Sequence, residues 1–280
     1  MTNYRALKRL KKVSFYVGLV FILVVLLFPL YWAFQSSITS TRLILSKNPP
    51  LFPVSFDFSA YKEVMTRKPI FLWLKNTVFV SITSTVFGVA LSLLAGYSLS
   101  RFKTMGNKMM GFFLLLSRML PATLLVIPIY MMFSKVKMIN SLWALIMMNL
   151  VNIIPFSTWM MKGYFDSIPR ELEEAASIDG CTWFGGYTKV VIPLTLPGIA
   201  AVSIYSMILC WNEFLYSRTL AYNEKRWVFT VGISSFIGEH SINWSQIMAG
   251  GILFIIPLMI AFAFLEPFLV RGLAAGSVKG

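Results

Sequence analysis

Apolar residues fall in six long runs, at positions 13–34, 76–98, 109–132, 142–161, 197–215 and 248–270, separated by more polar stretches. A helix needs roughly 20 residues to cross the hydrocarbon core, so the pattern predicts six transmembrane helices in one domain over 1–280. Lipid demands that backbone polar groups be satisfied within the segment, and the expected class is an all-α polytopic membrane protein. Pro121 and Pro128 interrupt the third run, Pro155 the fourth and Pro257 the sixth, and each predicts a kink whose freed carbonyl a neighbour must satisfy. The first run follows the basic patch Arg5, Lys8, Arg9, Lys11 and Lys12. It is too long for a cleaved secretory core and no small-residue cleavage site follows, so a retained first span is expected.

One stretch, 168–193, is polar, acidic and glycine-bearing. Ser167 or Ile168 as N-cap, Pro169 in the first turn, and Glu171, Glu173 and Glu174 near the positive helix end predict a short helix. Gly180 after Asp179 is placed to stop it in a left-handed turn. Leu172, Ala175, Ala176 and Asp179 share one face by their spacing, mostly small enough for another surface to approach closely. The reading is a plug for a partner protein.

Composition narrows the class further. The chain is 57% hydrophobic and 13% charged, with a net charge of +14. In a soluble protein that charge would suggest nucleic acid; here the basic residues sit largely between the apolar runs, where they orient the chain and meet anionic headgroups, and no nucleic-acid role is expected. Arg101, Lys103 and Lys108, then Lys162, Arg170 and Lys189, then Arg271 and Lys279, join the N-terminal patch on one side. That bias puts both termini and the 166–193 loop in the cytoplasm, and the 37–75 and 216–247 segments outside. Arg42, Lys47, Arg67, Lys68 and Arg218 on the other side keep the bias modest. Asn48-Pro49-Pro50-Leu51-Phe52-Pro53 cannot form a helix interior and predicts an extended strip. Trp32, Trp73 and Trp143 near one boundary, and Trp159 and Trp183 near the other, read as interfacial anchors. Cys181 and Cys210 support neither a disulfide nor a metal site, and His240 reads as a loop histidine. No phosphate loop, nucleophile elbow or HExxH pair occurs, so any energy for active transport must come from another subunit.

Glu174-Ala175-Ala176-Ser177-Ile178-Asp179-Gly180, with Val190-Val191-Ile192-Pro193 downstream, resembles the EAA loop of the inner-membrane permeases of binding-protein-dependent ABC importers. Val190 and Ile192 stand where the family's later motif has Ile and Leu. Further stretches are similar to the carbohydrate branch, the maltose-transporter type of second permease: Ala95-Gly96-Tyr97-Ser98-Leu99-Ser100-Arg101-Phe102, Met119-Leu120-Pro121, Trp211-Asn212-Glu213-Phe214, and the ending from Arg271 to Gly280. The resemblance implies a type I permease fold and a cell-membrane subunit that is not itself an enzyme. It also implies a homologous second permease, an ATPase dimer carrying ATP and Mg²⁺, and an extracytoplasmic solute-binding protein; this chain itself would hold no cofactor. By the same resemblance Glu171, Leu172, Glu174, Ala175, Ala176, Asp179, Gly180 and Pro193 couple to the ATPase. The 271–280 tail, through Gly276, Ser277, Lys279 and Gly280, reaches the ATPase dimer.

Polar side chains inside spans are candidates for the translocation path: Arg118, Asn149, Asn152, Asn212 and Glu213, with Trp211 beside Asn212 suited to a sugar's apolar face. Structural roles stand beside these, Arg118 pairing with a carboxylate such as Glu213, and the asparagines bonding between helices. Importers of the same design for glycerol phosphate, an amino acid or a peptide remain open, as does a self-sufficient channel or secondary transporter. An intramembrane chain of acids for proton coupling is missing, and so is a cluster of groups for an integral-membrane enzyme.

Overall fold

The computed structural model describes residues 2–54, 56–238 and 242–277, with side chains at 11–54, 56–238 and 242–268. Among these residues the chain is helical, with one isolated antiparallel bridge between Ile237 and Ile242. In order come α1 (Thr2–Ser37), α2 (Thr41–Ile44), α3 (Ser59–Arg67), α4 (Ile70–Arg101), α5 (Met105–Ser117), α6 (Ala122–Lys135) and α7 (Leu142–Asp166). There follow α8 (Glu171–Ile178), α9 (Trp183–Gly186), a π-helical turn (Tyr187–Val191), α10 (Ile192–Leu194), α11 (Leu196–Trp211), α12 (Leu215–Leu220), α13 (Phe229–Ser234) and α14 (Trp244–Ser277). Helices α1, α4, α7 and α14 are each long and apolar enough to span a membrane. The third expected span is broken, α5 meeting α6 at 104°; the fifth falls on α11, only 16 residues long, which the helix from Trp183 to Leu194 meets at 74° just ahead of the expected run. At the first break Pro121 has no N–H to give and disfavours helix at Leu120, so α5 ends with Arg118 as its C-cap and α6 begins after Pro121. Pro128, Pro155 and Pro257 are carried inside helices that continue past them.

Contacts divide the chain into two units, one from α1 to α3 with the start of α14, the other from α4 to α13 with the rest of α14. In the first, the proline-rich strip lies against the end of α1. Tyr31 donates to the Leu51 carbonyl and Gln35 Nε2 to that of Pro50, both at 2.7 Å. Ser245 Oγ donates to the Thr39 carbonyl at 2.7 Å, tying in the start of α14.

The second unit is built on the α4–α7 pair. Ser81, Ser84, Gly88, Ser92, Gly96 and Ser100, at intervals of three and four, are all buried along α4, and such a small-residue seam lets helix backbones close up. A Cβ on Gly96 would sit 3.0 Å from both Thr158 O and Lys162 N of α7. Helix α11 joins them, with Ser157 and Ser206 hydroxyls 3.1 Å apart. At one end of α4, Trp73 Nε1 donates to the Glu224 carbonyl, Asn76 Nδ2 to those of Lys225 and Trp227, and the Phe229 N–H to Thr77 Oγ1. Trp73 is therefore wholly buried, not the lipid-facing anchor its position suggested; its N–H found a carbonyl inside the protein. Trp143 and Trp183 are more than half exposed. At the other end of α4 an apolar cluster of Tyr97, Met161, Phe165, Ile168, Tyr187 and Val191 forms the floor beneath α8.

Candidate functional site

The short acidic helix begins at Glu171, with Arg170 at the N-cap and no side-chain cap. Neither Ser167 nor Ile168 caps it, and Pro169 precedes it. Ser167 is used on the preceding helix: its N–H and Oγ both donate to Tyr164 O, closing α7. The far end matches expectation. Gly180 N–H donates to Ser177 O and Cys181 N–H to Ala176 O, with Gly180 at φ +86°, a Schellman stop that favours glycine. Nothing lies within 4 Å of a Cβ built at Gly180, so the cost of a side chain there is conformational, about 1–2 kcal/mol. Gly180→Val is expected to fray the end of α8 and lower co-purification of the ATPase without blocking membrane insertion. Wild-type co-purification would refute that.

The helix is fixed by its inward face. Glu173 accepts from Tyr97 Oη at 2.5 Å and from Arg101 Nε and Nη2, each at 2.6 Å. Arg101, its side chain 9% exposed, also donates to the carbonyls of Phe165 and Ile168. Ser100 Oγ and Lys162 Nζ converge on Asp166, and Arg170 Nη2 donates to the Ser100 and Arg101 carbonyls. Tyr97 packs edge-on against Phe165, Trp183 and Tyr187 at 4.7–5.5 Å between ring centroids. The end of α4, the end of α7 and the start of α8 are thus one polar knot on an aromatic floor.

That knot reassigns the face of α8. Ala176 is buried against the chain, whereas Ala175 is exposed, as are Glu171, Leu172, Glu174, Asp179 and Ile178, the last at 87%. The expected grouping of Leu172, Ala175, Ala176 and Asp179 on one contacting face therefore loses Ala176 to the interior, and Ile178 joins the outward surface. In the sequence Glu173 stands out only as a helix-end charge. The signal that could have found its role was Arg101, a guanidinium closing a span and in need of a partner. Pro193 lies exposed in α10. It has no N–H for the carbonyl four residues back, and the π-helical turn Tyr187–Val191 stands immediately before α10.

Of the candidate path residues, Arg118 and Asn152 meet, whereas Arg118 and Glu213 do not pair. Arg118 Nη1 donates to Asn152 O at 2.9 Å and Nη2 to Tyr205 Oη at 3.4 Å. Its suggested partner Glu213 is occupied elsewhere, accepting from the Tyr216 and Ser217 N–H groups and from Ser217 Oγ at the start of α12. Asn149 is buried at 2% exposure and Asn152 half-buried. Trp211 is buried while Asn212 is exposed and bonded to Ile208 O, so the two do not form one sugar-facing pair. Gly276 and Ser277 continue α14, so the region expected to be a tail from residue 271 is helical through Ser277. The Ser277 side chain, Lys279, Gly280 and His240 lie outside the described residues, as do the side chains of Arg5, Lys8 and Arg9.

Apolar helices long enough to cross a bilayer, with a short acidic helix held by Glu173 to the end of α4, define a polytopic membrane protein. Residues 88–275 match the family of binding-protein-dependent transport system inner membrane components, and the chain belongs to that family: it is a permease subunit of an ABC importer in the inner membrane. It is 32% identical over 257 residues to the diacetylchitobiose uptake system permease of Streptomyces coelicolor, covering 91% of this chain and 92% of that one. It is 29% identical to the maltodextrin transport system permease of Bacillus subtilis, over 99% and 100% of the two chains. The fold is shared, at a TM-score of 0.75 and 24% identity, with a chain of a bacterial ABC transporter involved in import of alginate, over 92% of this chain and 96% of that one.

Proposed function

We propose that this permease moves a sugar or oligosaccharide delivered by an extracytoplasmic binding protein, driven by an ATPase dimer that holds ATP and Mg²⁺ and docks on α8. The observation that carries the docking is the asymmetry of α8. One face is locked to α4 through Glu173, and the other offers Leu172, Ala175 and Ile178 beside Glu171, Glu174 and Asp179. An apolar knob rimmed with carboxylates suits a groove with basic edges. In this reading α8, both termini and the end of α14 face the cytoplasm, as the lysine and arginine bias favours. The apolar groove between α11 and α14, lined by Ile204, Met207, Ile208, Leu258, Met259 and Phe262, suits a helix of a second permease. The relatives' cargoes, diacetylchitobiose and maltodextrin among them, favour carbohydrate over glycerol phosphate, amino acids or peptides. Vesicles bearing the assembled complex are expected to accumulate labelled oligosaccharide only with hydrolysable ATP. Transport by this chain alone without ATP, or uptake confined to non-carbohydrate solutes in a panel, would overturn the reading.

A further inference from the structure

Beside α8 the ends of α4 and α7 and the start of α5 enclose an open cavity of about 930 Å³. Arg101, Lys103, Lys108, Lys162 and Arg170 line it, against the carboxylates of Asp166 and Glu171. Three of these cations are engaged within the chain: Arg101 by Glu173, Lys162 by Asp166, and Arg170 by two backbone carbonyls. Lys103 and Lys108 are exposed and make no ion pair among the described residues. The turn that carries them is firmly built, since Asn107 Nδ2 donates to the carbonyls of Ser98 and Phe102, and Thr104 Oγ1 caps α5. Trp159 also lines the cavity; its Nε1 donates to Gly111 O and its ring lies 5.5 Å beneath Lys162 Nζ. Immediately along α5 from the lysines, Met109, Met110, Phe112 and Phe113 are about half exposed or more.

Unpaired lysines, an indole with its N–H satisfied, and bare apolar side chains one turn further on form a gradient from anion to hydrocarbon. We propose that this cavity binds the headgroup of an anionic phospholipid, its phosphate between Lys103 and Lys108 and its acyl chains along the exposed face of α5. The proposal rests on the reading that α8 lies at a membrane surface. It adds a lipid as a built part of the platform around the coupling helix.

The test uses the complete complex, purified from membranes containing phosphatidylglycerol and phosphatidylcholine, with retained lipid counted by native mass spectrometry. Wild type is expected to keep phosphatidylglycerol in preference to phosphatidylcholine. A Lys103→Gln/Lys108→Gln variant is expected to bind it about 25-fold more weakly, from about fivefold for each lysine near an anionic surface. Equal retention by variant and wild type would overturn the site, and so would displacement of the lipid by inorganic phosphate, which would assign the cavity to a free anion. Loss of the ATPase from the variant would assign the face to that protein instead. Lysine-dependent lipid retention by a wild-type chain that captures no ATPase would support the lipid site while refuting the docking reading of α8.

Discussion

Arg101→Ala is expected to release α8 from its seat and to abolish coupled uptake while leaving the spans inserted. The reason is the position of the guanidinium at the centre of the knot, with Glu173 on one side and the carbonyls of Phe165 and Ile168 on the other. Truncating one member of a buried pair leaves the other charge unpaired, at about 3 kcal/mol or more. Both partners here are well enclosed, at 9% and 18% side-chain exposure. Lysine is expected to rescue only weakly, because one ammonium cannot reach a carboxylate and two carbonyls as a planar fork does. The Arg101→Ala/Glu173→Ala double variant is expected to cost less than the sum of the singles. Limited proteolysis of the loop before α9, alongside uptake, reads this directly. An Arg101→Ala protein with wild-type cleavage and uptake would show that α8 is held by other means.

The second large effect is expected at Gly96, one position before Tyr97 in the same turn of α4. A side chain there meets the backbone of α7 itself, with Thr158 O and Lys162 N at 3.0 Å and Met161 Cβ at 2.9 Å. Backbone cannot rotate aside as a side chain does, so Gly96→Val must separate α4 from α7, at the upper end of overpacking costs, about 3 kcal/mol. Gly163→Ala is the control, because nothing lies within 4 Å of a Cβ at that helical glycine and alanine is the better helix former. Thermal unfolding of the purified complex should fall for the first and hold or rise for the second. A wild-type melting temperature for Gly96→Val would overturn the tight α4–α7 contact.

The apolar runs made the spans legible because burial in lipid leaves a signal in every residue of a run. Their breaks were less so. Pro121 announces an interruption, but the 104° turn between α5 and α6 depends on what each half packs against. The short acidic helix and its glycine stop were also legible, since a left-handed turn after a short helix has few alternatives to Gly180. Its start was misassigned because Ser167 suits two roles, and only the structure shows it spent on α7. The inward and outward faces of α8 were not legible from spacing alone. Eight residues allow several faces, and the choice was made by Arg101, which lies 72 residues before Glu173 in the chain. Arg118 likewise found partners 34 and 87 residues away that no local pattern specifies, whereas Glu213 serves the start of α12 three and four residues on.

Helix α4 runs for 32 residues without a proline, about 48 Å at 1.5 Å per residue. Hydrogen bonds hold it at both extremities, Trp73 and Asn76 to the 224–227 loop, Tyr97 and Arg101 to α8. A continuous helix pinned in this way and packed closely on α7 has little freedom to slide or stretch, but it can tilt together with α7. A tilt of about 5° about one pin carries the other through about 4 Å over that length. A small angular displacement imposed at α8 would thus arrive at the opposite end as a movement larger than a hydrogen bond, with no side chain in between needing to change its partner.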